Sequence, residues 1–425
     1  MLKDLPDLVK SGIITQESSD KIRDYYLDKK KPNTTRLFIV FGILGAILIG
    51  LGIILIIAHN WDDFSKLTKT FFAFLPLIIA QIIAGFTILK KSDSISWKES
   101  SAILVFFTIG ASISMVSQIY NIPGDISSFL LTWMALAFPL IYLLNSSTAS
   151  LLFIIGITTY ACQTSYWTYP SSDSYSYWLM IAGVFPYYYK LLKKVPGSNF
   201  VIFHNWLISL SVVIVLGTLA NDLEDLMFIA YMSLFGLLYL IGDQKAFLNQ
   251  HIIKNAYKLI GSLGTIILLL FLSFNFYWEE MNVDKLLFSN LVISPEFYIS
   301  LLISLSAIGL IMKIKLNSVK NLNPISLVFI LFILTFTVGV ASPEIAVILI
   351  NLSVFIIGIL TIINGVERDH LGLLNFGLLM ITALIICRFF DTDISFFIRG
   401  VLFVVVGAGF FMANYWMLRK RKTNE

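Results

Sequence analysis

Charge is scarce in this sequence. Only 13% of its 425 residues are Asp, Glu, Lys or Arg, whereas 57% are hydrophobic, and the mean hydropathy is +0.84. A water-soluble domain of this length cannot bury that much apolar surface, so the solvent for most of the chain is lipid. The net charge of +4 is small, and the basic residues gather at the ends of apolar segments. That pattern argues for membrane topology and against nucleic-acid binding. Cysteine is nearly absent. Cys162 and Cys387 stand outside any CxxC or Cys/His spacing, which argues against a metal site. They read as two buried thiols rather than as a disulfide. Also missing are GxxxxGK[ST], GxSxG and HExxH, which argues against an ATPase domain, a serine-hydrolase elbow and a zincin helix. No cofactor and no metal are expected.

What is present is a succession of long apolar runs. The first, LFIVFGILGAILIGLGIILIIAHNWDD, follows a basic stretch (Lys29, Lys30, Lys31, Arg36) and stops at His59-Asn60-Trp61-Asp62. It has the length a helix needs to cross a bilayer. It comes too late and is too long for a cleaved signal core, so it reads as a retained anchor. Gly42, Ala46 and Gly50 recur every four residues and give it a small face for close helix packing. Further runs follow at 71–89, 101–119, 126–144, 148–165, 176–192, 200–220, 225–242, 256–277, 296–314, 323–340, 344–364, 371–388 and 394–418. The expectation is an all-α integral membrane protein of about fourteen transmembrane helices. With the N-terminus inside, 25 of the 30 basic residues fall on the inner side, as the positive-inside rule requires. Both termini are then cytoplasmic.

Residues 1–36 read as a cytoplasmic amphipathic helical hairpin. Leu5, Leu8 and Val9 lie on one helical face, Ser11-Gly12 is the stop, and Thr15 is the N-cap of a second helix. The hairpin is either a structural collar or a docking site for a protein partner. Residues 37–418 form the polytopic transmembrane domain, and 419–425 a basic cytoplasmic tail. A faint internal echo pairs Asp125–Phe129 with Asp393–Phe397, and Ala58–Trp61 with Ala413–Trp416, suggesting related end bundles.

Polar residues concentrate at the outer ends of the spans. His59, Asn60, Trp61 and Asp62 close the first span. Gln118, Tyr120 and Asp125 lie in the connection between the third and fourth spans. Arg388, Asp391 and Asp393 join the last two, and Arg399 lies inside the final span. A charge at that depth demands a partner or water. These residues outline a candidate outer vestibule for an anionic or polar ligand, its arginines balanced by Asp62, Asp125, Asp391 and Asp393. The structural alternative gives Asp125 and Asp393 to helix N-caps and Arg399 to helix packing. Gln81, Gln163, Asn275, Asn351 and Asn375 are candidates for interhelical hydrogen bonds. His204 reads as hydrogen-bonded to a helix carbonyl, with a proton relay as the alternative.

The stretches L..SGIIT....KI..YY, AHNWDD, GASISMVSQIYNIPGD...LLTW and RFFDTDISFFIRGVLFVVVGAGFFMANYW resemble the bacterial membrane proteins grouped as domain of unknown function 2157. The resemblance implies a multi-pass protein of the bacterial inner membrane, in contact with the lipid bilayer, with a short cytoplasmic N-terminal region. It brings no catalytic residue. Three function classes are open at this point: a scaffold, sensor or regulator of an envelope process, a transporter or flippase-like carrier, and an intramembrane enzyme acting on a lipid-linked substrate. A cavity running from the outer face to mid-membrane favours the carrier, a lateral opening the enzyme, and a solid core the scaffold.

Overall fold

The computed structural model describes residues 5–29, 63–166, 172–247, 250–281, 288–315, 323–390 and 395–424. Among the described residues every regular element is helical. The chain divides into two compact units, Met1–Phe72 and Ala73–Glu425.

The N-terminal unit carries two short helices, α1 (Leu5–Lys10) and α2 (Gln16–Lys29). Gly12 turns the chain between them at φ +71°, a conformation open to glycine because it lacks a Cβ. The Thr15 hydroxyl accepts from the Ser18 amide at 3.2 Å and satisfies a donor at the start of α2. Helix α2 is polar and carries the Lys21–Glu17 pair at 2.7 Å on its exposed surface.

The long helices follow: α3 (Lys66–Lys90), α4 (Ile95–Tyr120), α5 (Ile126–Leu143), α6 (Ser147–Ser165), α7 (Tyr175–Lys194), α8 (Asn199–Leu216), α9 (Met227–Gly242), α10 (Ala256–Phe271), the short α11 (Phe276–Glu279), α12 (Pro295–Lys315), α13 (Val328–Ala341), α14 (Pro343–Glu367), α15 (Leu371–Phe390) and α16 (Phe396–Asn424). Helices lie over each expected segment from 71–89 onward, and the first, 37–58, lies outside the described residues. Nine helices among the described residues are long and apolar enough to cross a membrane. The hydroxyl- and tyrosine-rich α6 and α7 are not in that set, and α10, at 16 residues, is short for a crossing. Pro76, Pro139 and Pro186 sit inside α3, α5 and α7, as membrane helices tolerate.

The packing explains the composition. One core gathers Met134, Phe153, Ile157, Tyr177 and Ile181 among α3–α8. Another gathers Leu240, Ala307, Phe329, Phe332 and Val354 among α9–α15. A third, around Leu216, Ala230, Leu234 and Tyr257, joins α8, α9 and α10. Outward-facing residues are also apolar: Leu179 is 80% exposed and Leu302 68%. Such a surface is stable only against lipid. Cys162 and Cys387 are separate free thiols.

The expected segment 256–277 is not one helix. Helix α10 stops at Phe271, and the chain resumes helical form only at Phe276. Its loose carbonyls find side-chain donors instead. The Ser273 hydroxyl donates to Leu270 O at 2.6 Å. Trp278 Nε1 donates to Leu272 O at 2.8 Å, and Asn351 Nδ2 to Ser273 O at 3.1 Å. The hydroxyl and amides that interrupt the apolar run compete locally with the backbone ladder.

Close approach of backbones holds neighbouring helices together. A Cβ on Gly261 would stand 2.6 Å from Tyr239 N and 2.7 Å from Phe235 O, where α10 meets α9. A Cβ on Gly309 would meet nothing within 4 Å. Backbone cannot retreat as a side chain does. Gly261→Ala is therefore expected to lower stability by about 1–3 kcal/mol. Gly309→Ala is expected to leave it unchanged or raise it by up to ~1 kcal/mol. Thermal unfolding of both variants in detergent checks this, and equal effects would refute it.

Candidate functional site

The C-terminal end of α4 is where polar groups and free space coincide. Asn121 takes a left-handed conformation (φ 51°) and ends the helix. The chain then passes Pro123-Gly124 and starts α5 at Asp125. That carboxylate accepts from the Ser128 amide at 2.6 Å, the N-cap role open to it from the sequence. This amide bond holds the Asp125 carboxyl below its ordinary value, since the hydrogen bond favours the charged form.

Beside this turn lies an open-sided cavity of about 830 Å³ along α3, α4 and α5, with Gln81, Gln118, Asp125 and Leu136 exposed on its rim. Ser112 and Ala73 fix its upper part: the Ser112 hydroxyl donates to Ala73 O at 2.8 Å. Gln81 lines it eight residues further along α3, about 12 Å deeper at the helical rise. Leu136 lines it ten residues into α5, about 15 Å below the turn. The cavity thus runs from the connecting turn to mid-helix depth.

Its walls are of two kinds. Phe74, Leu77, Ile109, Ile113, Phe129 and Leu136 are apolar, whereas Gln81, Gln118, Ser128 and Thr132 offer polar atoms. Neither carboxamide, of Gln81 or Gln118, is engaged with another described residue. Among the described lining residues Asp125 is the sole charged group.

Five residues of the candidate vestibule read from sequence are described, and two of them line the cavity. Gln118 and Asp125 line the cavity, whereas Tyr120 is 51% exposed and is not among its walls. Arg388 lies at the interruption after α10. Its guanidinium donates to the Ser273 hydroxyl at 3.1 Å and stacks 4.6 Å over the Phe274 ring. Arg399 donates to Phe389 O at 2.8 Å, a bond between the last two helices. His59, Asn60, Trp61, Asp62, Asp391 and Asp393 lie outside the described residues.

Residues 6–150 match the family described as Predicted membrane protein (DUF2157). The whole described lining of the cavity, Phe74 to Leu136, falls inside this DUF2157 segment. The Arg388 cluster falls outside it. No curated protein and no solved structure matches the chain.

Sequence reasoning missed Glu99. This half-buried carboxylate, near the start of α4, accepts from the Ser147 and Thr148 amides at 2.9 and 2.8 Å and from the Ser146 hydroxyl at 2.5 Å. It caps α6, two helices further along the chain. Nothing in its local sequence distinguishes it from an ordinary acid near the start of its own helix. Ser150 and His204 also meet, at 2.9 Å, the spacing of a nucleophile and its base. Both side chains are fully buried, however, and Glu99 occupies the nearby amides that could hold an oxyanion.

Two outcomes are expected here. Arg388→Ala should cost about 1.5–3 kcal/mol, the range for a hydrogen bond to a charged group. Chemical unfolding in detergent measures it, and an unchanged midpoint would refute a stabilising role for this guanidinium. The Asp125 cap should contribute stability fully above the ordinary carboxylate value, lost as pH falls through its lowered folded value. Wild type minus Asp125→Ala stability, followed from pH 7 to about pH 3, should shrink on the acid side. A constant difference would count against the cap.

Proposed function

We propose that the protein is a carrier for amphipathic molecules in the bacterial cytoplasmic membrane, and that its ligand occupies the cavity beside Asp125. The observation that carries this reading is the cavity's depth, from the turn before α5 to mid-helix, together with its division into an apolar wall and a set of uncommitted amides. A scaffold with a solid core needs neither. The volume suits a single-chain amphiphile or a drug-sized molecule. The apolar wall takes the hydrocarbon part, while Gln81 and Gln118 donate to and accept from a polar head group. A single carboxylate without a basic neighbour in the described lining favours a neutral or cationic head group over an anionic one. That preference differs from the anionic ligand suggested by the arginines, neither of which is among the described lining residues.

The reading includes fourteen crossings with both termini in the cytoplasm, supported by the distribution of 25 of 30 basic residues. The cavity mouth then opens on the outer face. Residues 1–36 are a cytoplasmic hairpin that docks a protein partner, for which the 69% exposure of Ile13 speaks. Residues 419–425 are a basic tail at the same face.

The test is a thermal-shift panel of single-chain amphiphiles with neutral, cationic and anionic head groups, run on the purified protein in detergent. Neutral or cationic members should raise the melting temperature of wild type and of Arg399→Gln alike. Leu136→Trp, which adds bulk at the deep end of the cavity, should reduce the shift. A shift confined to anionic members and lost in Arg399→Gln would overturn the assignment, as would no shift at all.

A further inference from the structure

A second polar system runs through the bundle away from the amphiphile cavity and does not rest on the carrier reading. It begins at Glu99, whose carboxylate binds the first amides of α6. One residue carries it inward: the Ser147 hydroxyl meets the Tyr187 hydroxyl of α7 at 2.8 Å. One turn deeper, fully buried His204 of α8 bridges two helices. Its Nδ1 contacts Phe200 O at 2.7 Å and its Nε2 the Ser150 hydroxyl at 2.9 Å. A carbonyl only accepts, so Nδ1 carries the proton. Nε2 is then a lone pair that accepts from Ser150, and it is the atom open to protonation. Tyr187 and Tyr188 flank the ring, each with its centroid 6.0 Å away. Tyr188 donates to Asn205 Oδ1 at 2.7 Å and receives the Tyr257 hydroxyl of α10 at 3.0 Å.

Seven residues along α8, about 10 Å at the helical rise, Ser211 meets Thr158 of α6 at 2.6 Å and Tyr177 of α7 at 2.5 Å. Between these two layers lie Asn205 Nδ2 and Ser209 Oγ, both without a partner in residues that are 0% exposed. Trp178 Nε1, Ser174 Oγ and Ser165 Oγ near the second layer are also without a partner. Buried polar atoms are seldom left unbonded, and such atoms are the groups that bind buried water. The orphans thus stand where successive layers need bridging.

We propose that α6, α7 and α8 enclose a hydrated proton path, and that His204 is the residue on which the proton rests. A proton from water at the Glu99 end is added to Nε2, making imidazolium. The Ser150 hydroxyl turns from donor to acceptor, and the Glu99 carboxylate faces the new charge. The same Nε2 proton then passes to water held at Asn205 and Ser209, restoring the neutral ring. Glu99, Tyr187, Tyr188 and, behind them, Tyr257 are the titratable groups facing the site.

The sequence holds four histidines, His59, His204, His251 and His370, which makes the test direct. Protein with 15N-labelled histidine is placed in lipid bilayers, and the imidazole signals are followed over about pH 5–8, where histidine titrates. The His204 signal is the one lost in His204→Gln. It should pass from the Nδ1-protonated tautomer to the doubly protonated ring, with a midpoint that moves in Glu99→Gln. Vesicles carrying a pH dye should dissipate an imposed pH gradient severalfold faster with wild type than with His204→Gln of equal melting temperature. A His204 ring that stays singly protonated throughout would overturn the proposal. So would vesicles no more permeable with wild type than with the variant.

Discussion

In hydrocarbon an amide or carbonyl without a partner costs several kcal/mol, so a chain dissolved in lipid must satisfy its own backbone. This single requirement explains why every regular element described is a helix, and it also locates the exceptions. At several helix ends a side chain distant in sequence supplies a missing bond. Glu99 serves the start of α6. Glu296, completely buried, accepts from the Asn221 and Leu223 amides at 2.5 and 3.2 Å. Asn351 and Trp278 serve the interruption after α10. These long-range caps tie segments distant in sequence, so they fix which helices are neighbours as well as closing helix ends.

The apolar runs were legible because lipid imposes a length and a polarity that composition records directly. Caps local in sequence were legible for the same reason: Asp125 and Thr15 act within three residues of themselves. Caps supplied from a distance were not. Glu99 and Ser146 are 47 residues apart, and no periodicity links them. The split of the 256–277 run was hidden as well. Ser273 and Asn275 looked like tolerable polar residues in a span, and only the presence of Trp278, Asn351 and Arg388 around them makes a break affordable.

Among the described residues of the candidate vestibule, Gln118 and Asp125 line one cavity and Arg388 and Arg399 do not line it, for a related reason. Topology places residues on a side of the membrane but not beside each other on that side. Gln118 and Asp125 share a turn and meet the same space. Arg388 lies beside the interruption after α10, where the Ser273 hydroxyl accepts from its guanidinium and the Phe274 ring lies beneath it.

The two polar systems differ in what they ask of water. The amphiphile cavity is bounded by amides that face open space, so its hydration changes with its occupant. The α6–α8 seam is bounded by side chains already bonded in layers, with single unpaired atoms between them. Its water would be held in place by those atoms, and moving it costs the bonds it makes. A solute path needs the first property, since the ligand must displace what is there. A proton path needs the second, since ordered donors and acceptors must persist while the charge passes. The same residue types, serine, tyrosine and amide, therefore serve opposite ends. What separates them is whether the packing around each leaves space for a molecule or for a single water.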